Sequence, residues 1–204
     1  MRVGVLASGR GTNLQALLDD AARDGCPYQV VVVISDVAEG RALERARQAG
    51  VPALFVSPRG RTREDFEAEM VAVLRARRVD LVVLAGYMRL VGEVLLEAYE
   101  GAVINIHPSL LPAFPGLEAQ RQALEYGVKV SGCTVHFVDR GMDTGPIISQ
   151  QAVPVREDDS VESLAARILV EEHRLLTRTV RLLATRRVEV RGRRVYIPDP
   201  GGSD

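Results

Sequence analysis

The 204-residue chain contains only two cysteines, one lysine and two asparagines. Cys26 and Cys133 are too few for a disulfide framework and lack the spacing of a metal-binding pair, so we expect two buried or half-buried thiols. Lys129 is the single lysine among 26 basic residues, and this bias, together with the scarcity of asparagine, fits a GC-rich genome or avoidance of heat-labile amides. The two asparagines that remain, Asn13 and Asn105, are therefore candidates for a functional role.

The sequence also has no excess of positive or negative charge and no long run of apolar residues. The formal net charge is -1, which argues against nucleic acid as a partner. No stretch of 18 uninterrupted apolar residues occurs, so no segment is expected to span a membrane. The short apolar run after Met1 ends in a Gly-rich turn and is typical of a first strand rather than a signal peptide. We expect a cytoplasmic protein.

Composition and pattern together predict a globular α/β domain. The chain is 47% apolar and 26% charged, as in ordinary globular proteins, and its length fits one domain. Strand-like and helix-like segments alternate, which indicates a doubly wound, mostly parallel sheet with helices on both faces and partly antiparallel C-terminal strands. The predicted strands cover 3–7, 30–34, 52–56, 81–84, 103–106, 131–138, 147–153, 188–190 and 193–197, and the predicted helices 14–21, 40–48, 62–77 and 160–184.

Ligands of such sheets bind outside the carboxyl ends of the strands. The loop Ser8-Gly-Arg-Gly-Thr-Asn13 follows the first predicted strand and precedes a helix. Its glycines allow an anion to approach the backbone, and the N-terminus of the helix favours negative charge. Thr12 or Asn13 could instead simply cap the helix. The loop matches neither the dinucleotide nor the triphosphate motif, so a single phosphate on a small molecule is the better prediction.

A second cluster follows the strand at 103–106. Asn105 and His107 are two residues apart, so their side chains point the same way, and Pro108 favours an extended backbone at His107. Asp143 lies in a Gly-flanked loop, where it could serve as a turn residue or could orient an imidazole and raise its pKa. The residues alone also leave a purely structural role open for each: a hydrogen-bonded amide at the strand end for Asn105, a hydrogen-bonded imidazole for His107 and a turn carboxylate for Asp143.

Five segments together resemble the phosphoribosylglycinamide formyltransferases of purine biosynthesis, a family of folate-dependent enzymes. They are Ser8-Gly-Arg-Gly-Thr-Asn-Leu-Gln-Ala-Leu-Leu, Leu84-Ala-Gly-Tyr-Met-Arg, Asn105-Ile-His-Pro-Ser-Leu-Leu-Pro, Phe114-Pro-Gly-Leu and Met142-Asp-Thr-Gly-Pro. The resemblance runs from the first strand to the helix that contains Glu171, Glu172 and His173. It implies the formyltransferase fold in a single domain, 1–204, with a phosphate-binding half (1–100) and a folate-binding and catalytic half (101–204).

The resemblance also assigns roles to positions. Its catalytic trio is Asn105, His107 and Asp143. The phosphoribosylglycinamide acceptor would contact Gly11, Thr12, Asn13 and Glu172, where Thr12 replaces the serine often found in the family. The donor 10-formyltetrahydrofolate, a co-substrate, would contact Arg63, Met88, Arg89, Leu90, Val91, Asn105, Val138, Asp139 and Asp143. No metal is implied, and the protein would be a monomer or a homodimer with small-molecule substrates.

The implied reaction is a direct attack of the acceptor amine on the formyl carbon through a tetrahedral intermediate. Asn105 and protonated His107 would stabilise the oxyanion, and Asp143 would keep the imidazole charged and oriented. Related alternatives are formyl transfer to methionyl-tRNA or a nucleotide sugar, and hydrolysis of formyl-folate. The tRNA enzyme has a further C-terminal domain and a basic surface, and the hydrolase an additional N-terminal domain, neither of which this sequence suggests. A non-catalytic folate- or nucleotide-binding protein would leave the trio without a reason to occur together. Neither His136 nor His173 is assigned a role in the reaction: His136 is expected to pack or hydrogen-bond in its strand, and His173 could support the site from the C-terminal helix, although a structural role is favoured.

Overall fold

The structure is a computed structural model that describes residues 1–198. The chain divides into two compact units, Met1–Asn105 and Ile106–Asp204. The single domain over 1–204, with its halves 1–100 and 101–204, stays a prediction, and residues 199–204 lie outside the described part. Within residues 1–198, no helix is both long enough and apolar enough to cross a membrane.

The first unit is a parallel sheet with helical crossovers. Its strands are β1 (Arg2–Leu6), β2 (Gln29–Ser35), β3 (Ala53–Phe55), β4 (Leu81–Leu84) and β5 (Val103–His107), of which the last two residues of β5 belong to the second unit. Its helices are α1 (Thr12–Ala21), α2 (Arg41–Gln48), α3 (Arg63–Ala76) and α4 (Glu93–Ala98).

The strand order β3-β2-β1-β4-β5 creates a switch point between β1 and β4. The chain moves outward from β1 to β3 and then returns to β4 beside β1. Because crossovers between parallel strands are right-handed, this reversal brings the helices that connect β1 to β3 and the helices that connect β3 to β5 to opposite faces of the sheet. The doubly wound fold is therefore confirmed, and the loops after β1 and β4 flank the position where such sheets bind ligands.

Local sequence explains why these elements form. Val32 and Val33 of β2 are fully buried, as expected for a strand covered on both faces. Thr62 caps α3, since its side chain accepts a hydrogen bond from the Asp65 N–H, as the sequence predicted. Gly50 follows the end of α2 with φ 69°, the left-handed conformation that glycine adopts without strain.

The second unit combines antiparallel strands with a long helix. It contains α5 (Ala119–Tyr126), β6 (Val130–Phe137), β7 (Ile147–Pro154), α6 (Val161–Thr185), β8 (Glu189–Arg191) and β9 (Arg194–Tyr196). Strand β6 pairs antiparallel with β7, β7 parallel with β9, and β8 antiparallel with β9, which confirms partly antiparallel C-terminal strands. Ser160 and Ser163 form a reciprocal capping box at the start of α6, which packs on β6 and β7.

Candidate active site

His107 is the last residue of β5 and is almost fully buried, with 4% of its surface exposed. Asn105 lies two residues earlier on the same strand and is half-buried. Because side chains alternate along a strand, the two leave β5 on the same side, as the sequence predicted. The amide and the imidazole are thus fixed to regular backbone rather than to a loop.

Both ring nitrogens of His107 face an acceptor. Nε2 lies 2.8 Å from the carbonyl oxygen of Phe114, and Nδ1 lies 3.4 Å from Oδ2 of Asp143. A carbonyl and an ionised carboxylate can only accept hydrogen bonds, so the protonated ring, with an N–H on each nitrogen, is the form that satisfies both. The structure therefore brings together His107 and Asp143, which the sequence could not place side by side.

Asp143 is held by the loop between β6 and β7. Its backbone adopts φ 55°, and its Oδ2 accepts a hydrogen bond of 2.7 Å from the Gly116 N–H. Elsewhere in this loop, Asp139 Oδ1 accepts bonds from the Gly141 N–H and the Thr144 hydroxyl. A Cβ on Gly145 would lie 1.7 Å from the Phe137 carbonyl oxygen, so only glycine permits this path of the chain. The carboxylate of Asp143 is thus fixed at both the backbone and the side chain.

Burial and the neighbouring polar groups shift the pKa values of His107 and Asp143 in opposite directions. Burial lowers the pKa of His107, the Phe114 carbonyl and the Asp143 carboxylate raise it, and the pKa ends below its ordinary value. Burial alone would raise the pKa of Asp143, but bonds from His136 and the Gly116 N–H, and the charge of His107, hold this pKa below its ordinary value. Burial thus opposes the charged imidazole that the two acceptors favour, beside a carboxylate whose lowered pKa keeps it ionised at neutral pH.

The loop that supplies the Phe114 carbonyl is buttressed by β6. The Ser109 hydroxyl donates to the Ala113 carbonyl at 2.6 Å. The Thr134 hydroxyl of β6 donates to the Ser109 carbonyl at 2.7 Å and accepts from the Leu111 N–H at 3.1 Å. Both side chains are fully buried, so these bonds are protected from competition with water. This network fixes the carbonyl that faces His107.

The loop after β1 begins α1 without a side-chain cap. Gly11 is the N-cap residue, with φ 69°, and has no side chain that could cap the helix, so the alternative that Thr12 or Asn13 is the N-cap is wrong. A Cβ on Gly11 would lie 2.9 Å from the Ala42 Cα, which explains the glycine. The Arg45 side chain of α2 braces this loop by donating to the Arg10 carbonyl at 2.9 Å. The N-cap residue thus offers no side chain that would compete with an anion for the first N–H groups of the helix.

The loop after β4 presents apolar side chains to solvent. Met88 is 64% exposed and Leu90 55% exposed, while Val91 is half-buried. The guanidinium of Arg89 lies 5.6 Å from the centre of the Phe66 ring. Arg63 belongs to the same neighbourhood, since a Cβ on Gly92 would lie 2.8 Å from the Arg63 Cδ. The structure therefore brings Arg63 to the end of the 88–91 segment. Val138 and Asp139, assigned to the same ligand, belong to the second unit.

Glu172 is a buried carboxylate on α6, with 6% of its surface exposed. Burial, followed by the negative charges of Glu172 and Glu171, raises the pKa of the Cys133 thiol to about 12. Cys133 is therefore a thiol at neutral pH and a poor nucleophile. Within residues 1–198, no group of three His, Cys, Asp or Glu side chains is arranged to hold a metal ion. The absence of a metal from the reaction stays a prediction.

Sequence reasoning missed three groups around the histidine–aspartate pair. His136 of β6 is buried, and its Nε2 lies 3.7 Å from Oδ1 of Asp143. The Phe114 carbonyl and the Gly116 N–H are backbone atoms of the Phe114-Pro-Gly-Leu segment, which was singled out only for its resemblance. A histidine within a predicted strand was the available signal for His136, whereas backbone groups carry no side-chain signal.

The fold and this site define an α/β protein equipped for acid–base chemistry at the end of a strand. A family model described as formyl transferase matches residues 1–180. The chain belongs to this formyl transferase family.

Individual relatives agree with the family. The phosphoribosylglycinamide formyltransferase of Bacillus subtilis is 43% identical over 174 residues, which cover 85% of this chain and 89% of that protein. The trifunctional purine biosynthetic protein adenosine-3 of Drosophila melanogaster is 50% identical over 186 residues, which are 89% of this chain but only 14% of that protein. Among solved structures, glycinamide ribonucleotide transformylase 1 of Symbiobacterium toebii superposes with a TM-score of 0.95 at 58% identity, covering 98% of this chain and 94% of that one.

Proposed function

We propose that the protein transfers the formyl group of 10-formyltetrahydrofolate to the amine of 5'-phosphoribosylglycinamide and produces phosphoribosyl-N-formylglycinamide, a step of de novo purine (IMP) biosynthesis. The observation that carries this proposal is the buried imidazole of His107 between two acceptors, in a chain that matches most of the length of a bacterial phosphoribosylglycinamide formyltransferase. We further propose a cytoplasmic enzyme that acts on small molecules as a monomer or homodimer, without nucleic acid, membrane or metal.

The acceptor phosphate binds at the start of α1. Gly11, Thr12 and Asn13 supply backbone N–H groups and polar side chains there, and the positive end of the helix favours the phosphate charge. Glu172 binds the sugar or glycinamide end of the acceptor. Charge supports placing the phosphate at the start of α1 and the amine end at Glu172, since a carboxylate attracts the ammonium group of an amine and repels a phosphate.

The folate donor binds along the loop after β4 and the loop after β6. Met88, Leu90 and Val91 offer apolar surface for its ring system, while Arg63 and Arg89 offer positive charge for its carboxylates. Val138, Asp139 and Asp143 complete the folate contacts, together with Asn105. The exposure of Met88 and Leu90 supports this assignment, because two exposed apolar side chains in one short loop gain from being covered by a ligand.

The chemistry needs an oxyanion partner and a route for one proton. The amine nitrogen forms a bond to the formyl carbon, the bond from that carbon to N10 of the folate breaks, and a proton passes from the amine to N10. Asn105 donates to the oxyanion of the tetrahedral intermediate. His107 also donates to it and relays the proton once one of its two contacts, with the Phe114 carbonyl or with Asp143, is exchanged for substrate. Burial lowers the pKa of the ring, and negative charge that develops beside it in the intermediate raises this pKa, which favours the protonated ring as the intermediate forms.

An acceptor comparison tests the proposal. Purified protein is mixed with 10-formyltetrahydrofolate and either phosphoribosylglycinamide, methionyl-tRNA or buffer alone, and release of tetrahydrofolate is followed by absorbance. We expect rapid release only with phosphoribosylglycinamide, and loss of this release in His107→Ala. Comparable release with tRNA or with buffer alone would assign the protein to the tRNA-directed or hydrolytic alternative. Transfer at the wild-type rate by His107→Ala would remove the catalytic role of the imidazole.

A further inference from the structure

Ser8 connects two loops at the switch point of the first unit. Strands β1 and β4 are parallel neighbours, and their ladder continues past both strand ends, with Ala85 N–H donating to the Leu6 carbonyl at 2.9 Å. The Ser8 N–H then donates to the Gly86 carbonyl at 3.1 Å. The next bond is made by a side chain, since the Met88 N–H donates to the Ser8 hydroxyl at 3.0 Å.

A hydroxyl takes the place of a main-chain acceptor in that last bond. The backbone after Ser8 is thereby free to turn toward Gly11 and the start of α1, while the loop after β4 stays attached to it. Ser8 is 8% exposed, so water competes little for the bond. The N–H of Met88 is anchored, whereas its side chain is 64% exposed and is available to a ligand.

We propose that Ser8 is a positioning residue that couples the acceptor-phosphate loop, residues 8–13, to the folate loop, residues 85–91. This inference rests on the proposed function for the identity of the two ligands. When the acceptor phosphate orders the first loop, the Ser8 hydroxyl holds Met88 in the conformation that receives folate. By thermodynamic reciprocity, bound folate must strengthen acceptor binding by the same factor.

The chain offers a matched control for this bond. Ser57 also accepts a main-chain N–H with its hydroxyl, that of Arg59 at 3.2 Å, but within its own loop after β3. Ser57→Ala deletes the same type of bond without touching either substrate loop. Ser8→Thr keeps the hydroxyl, whereas Ser8→Ala removes it.

The deciding measurement is the dissociation constant of phosphoribosylglycinamide, determined by calorimetry with and without saturating tetrahydrofolate, the unreactive form of the donor. In the wild type, Ser8→Thr and Ser57→Ala we expect folate to tighten acceptor binding by about fivefold or more. In Ser8→Ala we expect the ratio of the two constants to fall to within about twofold of one. A wild-type ratio of one, or a ratio retained in Ser8→Ala, would overturn the coupling.

Amide hydrogen exchange supplies a readout that does not depend on folate. Addition of phosphoribosylglycinamide alone should slow exchange of the Met88 amide in the wild type and leave it unchanged in Ser8→Ala. An equal slowing in both proteins would contradict the inference.

If the wild type binds the acceptor and tetrahydrofolate but Ser8→Ala behaves like it, only the coupling fails. If the wild type binds neither ligand, the proposed function fails and the coupling falls with it.

Discussion

Replacing Asp143 with asparagine removes one negative charge beside His107 and keeps the shape of the side chain. The Oδ2–Nδ1 separation is 3.4 Å. At an effective dielectric constant of about 20, opposite unit charges at this distance attract by roughly 5 kcal/mol, which is an upper limit. Because solvent reaches part of the carboxylate and the Phe114 carbonyl remains, we expect only part of this attraction to be lost, which lowers the pKa of His107 further.

The fall in pKa sets the expected loss of activity. At neutral pH the population of the charged ring decreases, and the loss of orientation adds to this effect, so kcat should fall by about 10²–10³. KM for the acceptor should change by only a few-fold, since Asp143 is not part of the phosphate loop. The pH profile of kcat should move toward acid.

Proton NMR titration measures the pKa directly, because the chain has only three histidines and the His107 signal is assigned by its loss in His107→Asn. Asp139→Asn is the matched control: this carboxylate lies in the same loop but bonds to Gly141 and Thr144, so its loss should leave the pKa of His107 nearly unchanged. An unaltered His107 pKa in Asp143→Asn, or a kcat within about threefold of the wild type, would refute the reasoning.

Three further outcomes are expected. Asn13→Ala should raise KM for the acceptor at little cost in kcat, and an unchanged affinity for the phosphorylated amine would refute the phosphate assignment. Gly145→Ala should lower kcat by displacing Asp143, since a Cβ would lie 1.7 Å from the Phe137 carbonyl oxygen; full activity in a folded variant would contradict the loop argument. Stability should fall with acid. The lowered pKa of His107 removes stability as pH drops below about 6.5, and the lowered pKa of Asp143 removes more as pH drops below about 3.8 and passes through the lowered pKa of this carboxyl. Urea midpoints should decline from pH 7 to 5, less steeply in His107→Asn, and a rise toward acid would contradict the sign.

The regular elements of the first unit could be predicted because their signals are local. Strand β4 has the predicted bounds Leu81–Leu84, and α3 starts at the predicted cap, Thr62. Helices α4 and α5 were missed, since they have only six and eight residues and no sustained apolar period. Tertiary packing rather than propensity forms such short helices.

The site was predictable only where neighbouring positions share one element. The shared orientation of Asn105 and His107 follows from strand geometry. The approach of Asp143 to His107 joins residues 36 positions apart and depends on a loop with a left-handed backbone, which no local pattern specifies. The Phe114 carbonyl and the Gly116 N–H cannot be predicted from residue types, because every residue has a backbone carbonyl and every residue except proline has a backbone N–H.

The most direct test of the central claim is single-turnover formyl transfer by His107→Ala with both substrates bound. If the imidazole between Asp143 and the Phe114 carbonyl moves the proton, the rate of tetrahydrofolate formation should fall by orders of magnitude while the acceptor dissociation constant stays within a few-fold of the wild type. A wild-type transfer rate in this variant would contradict the account.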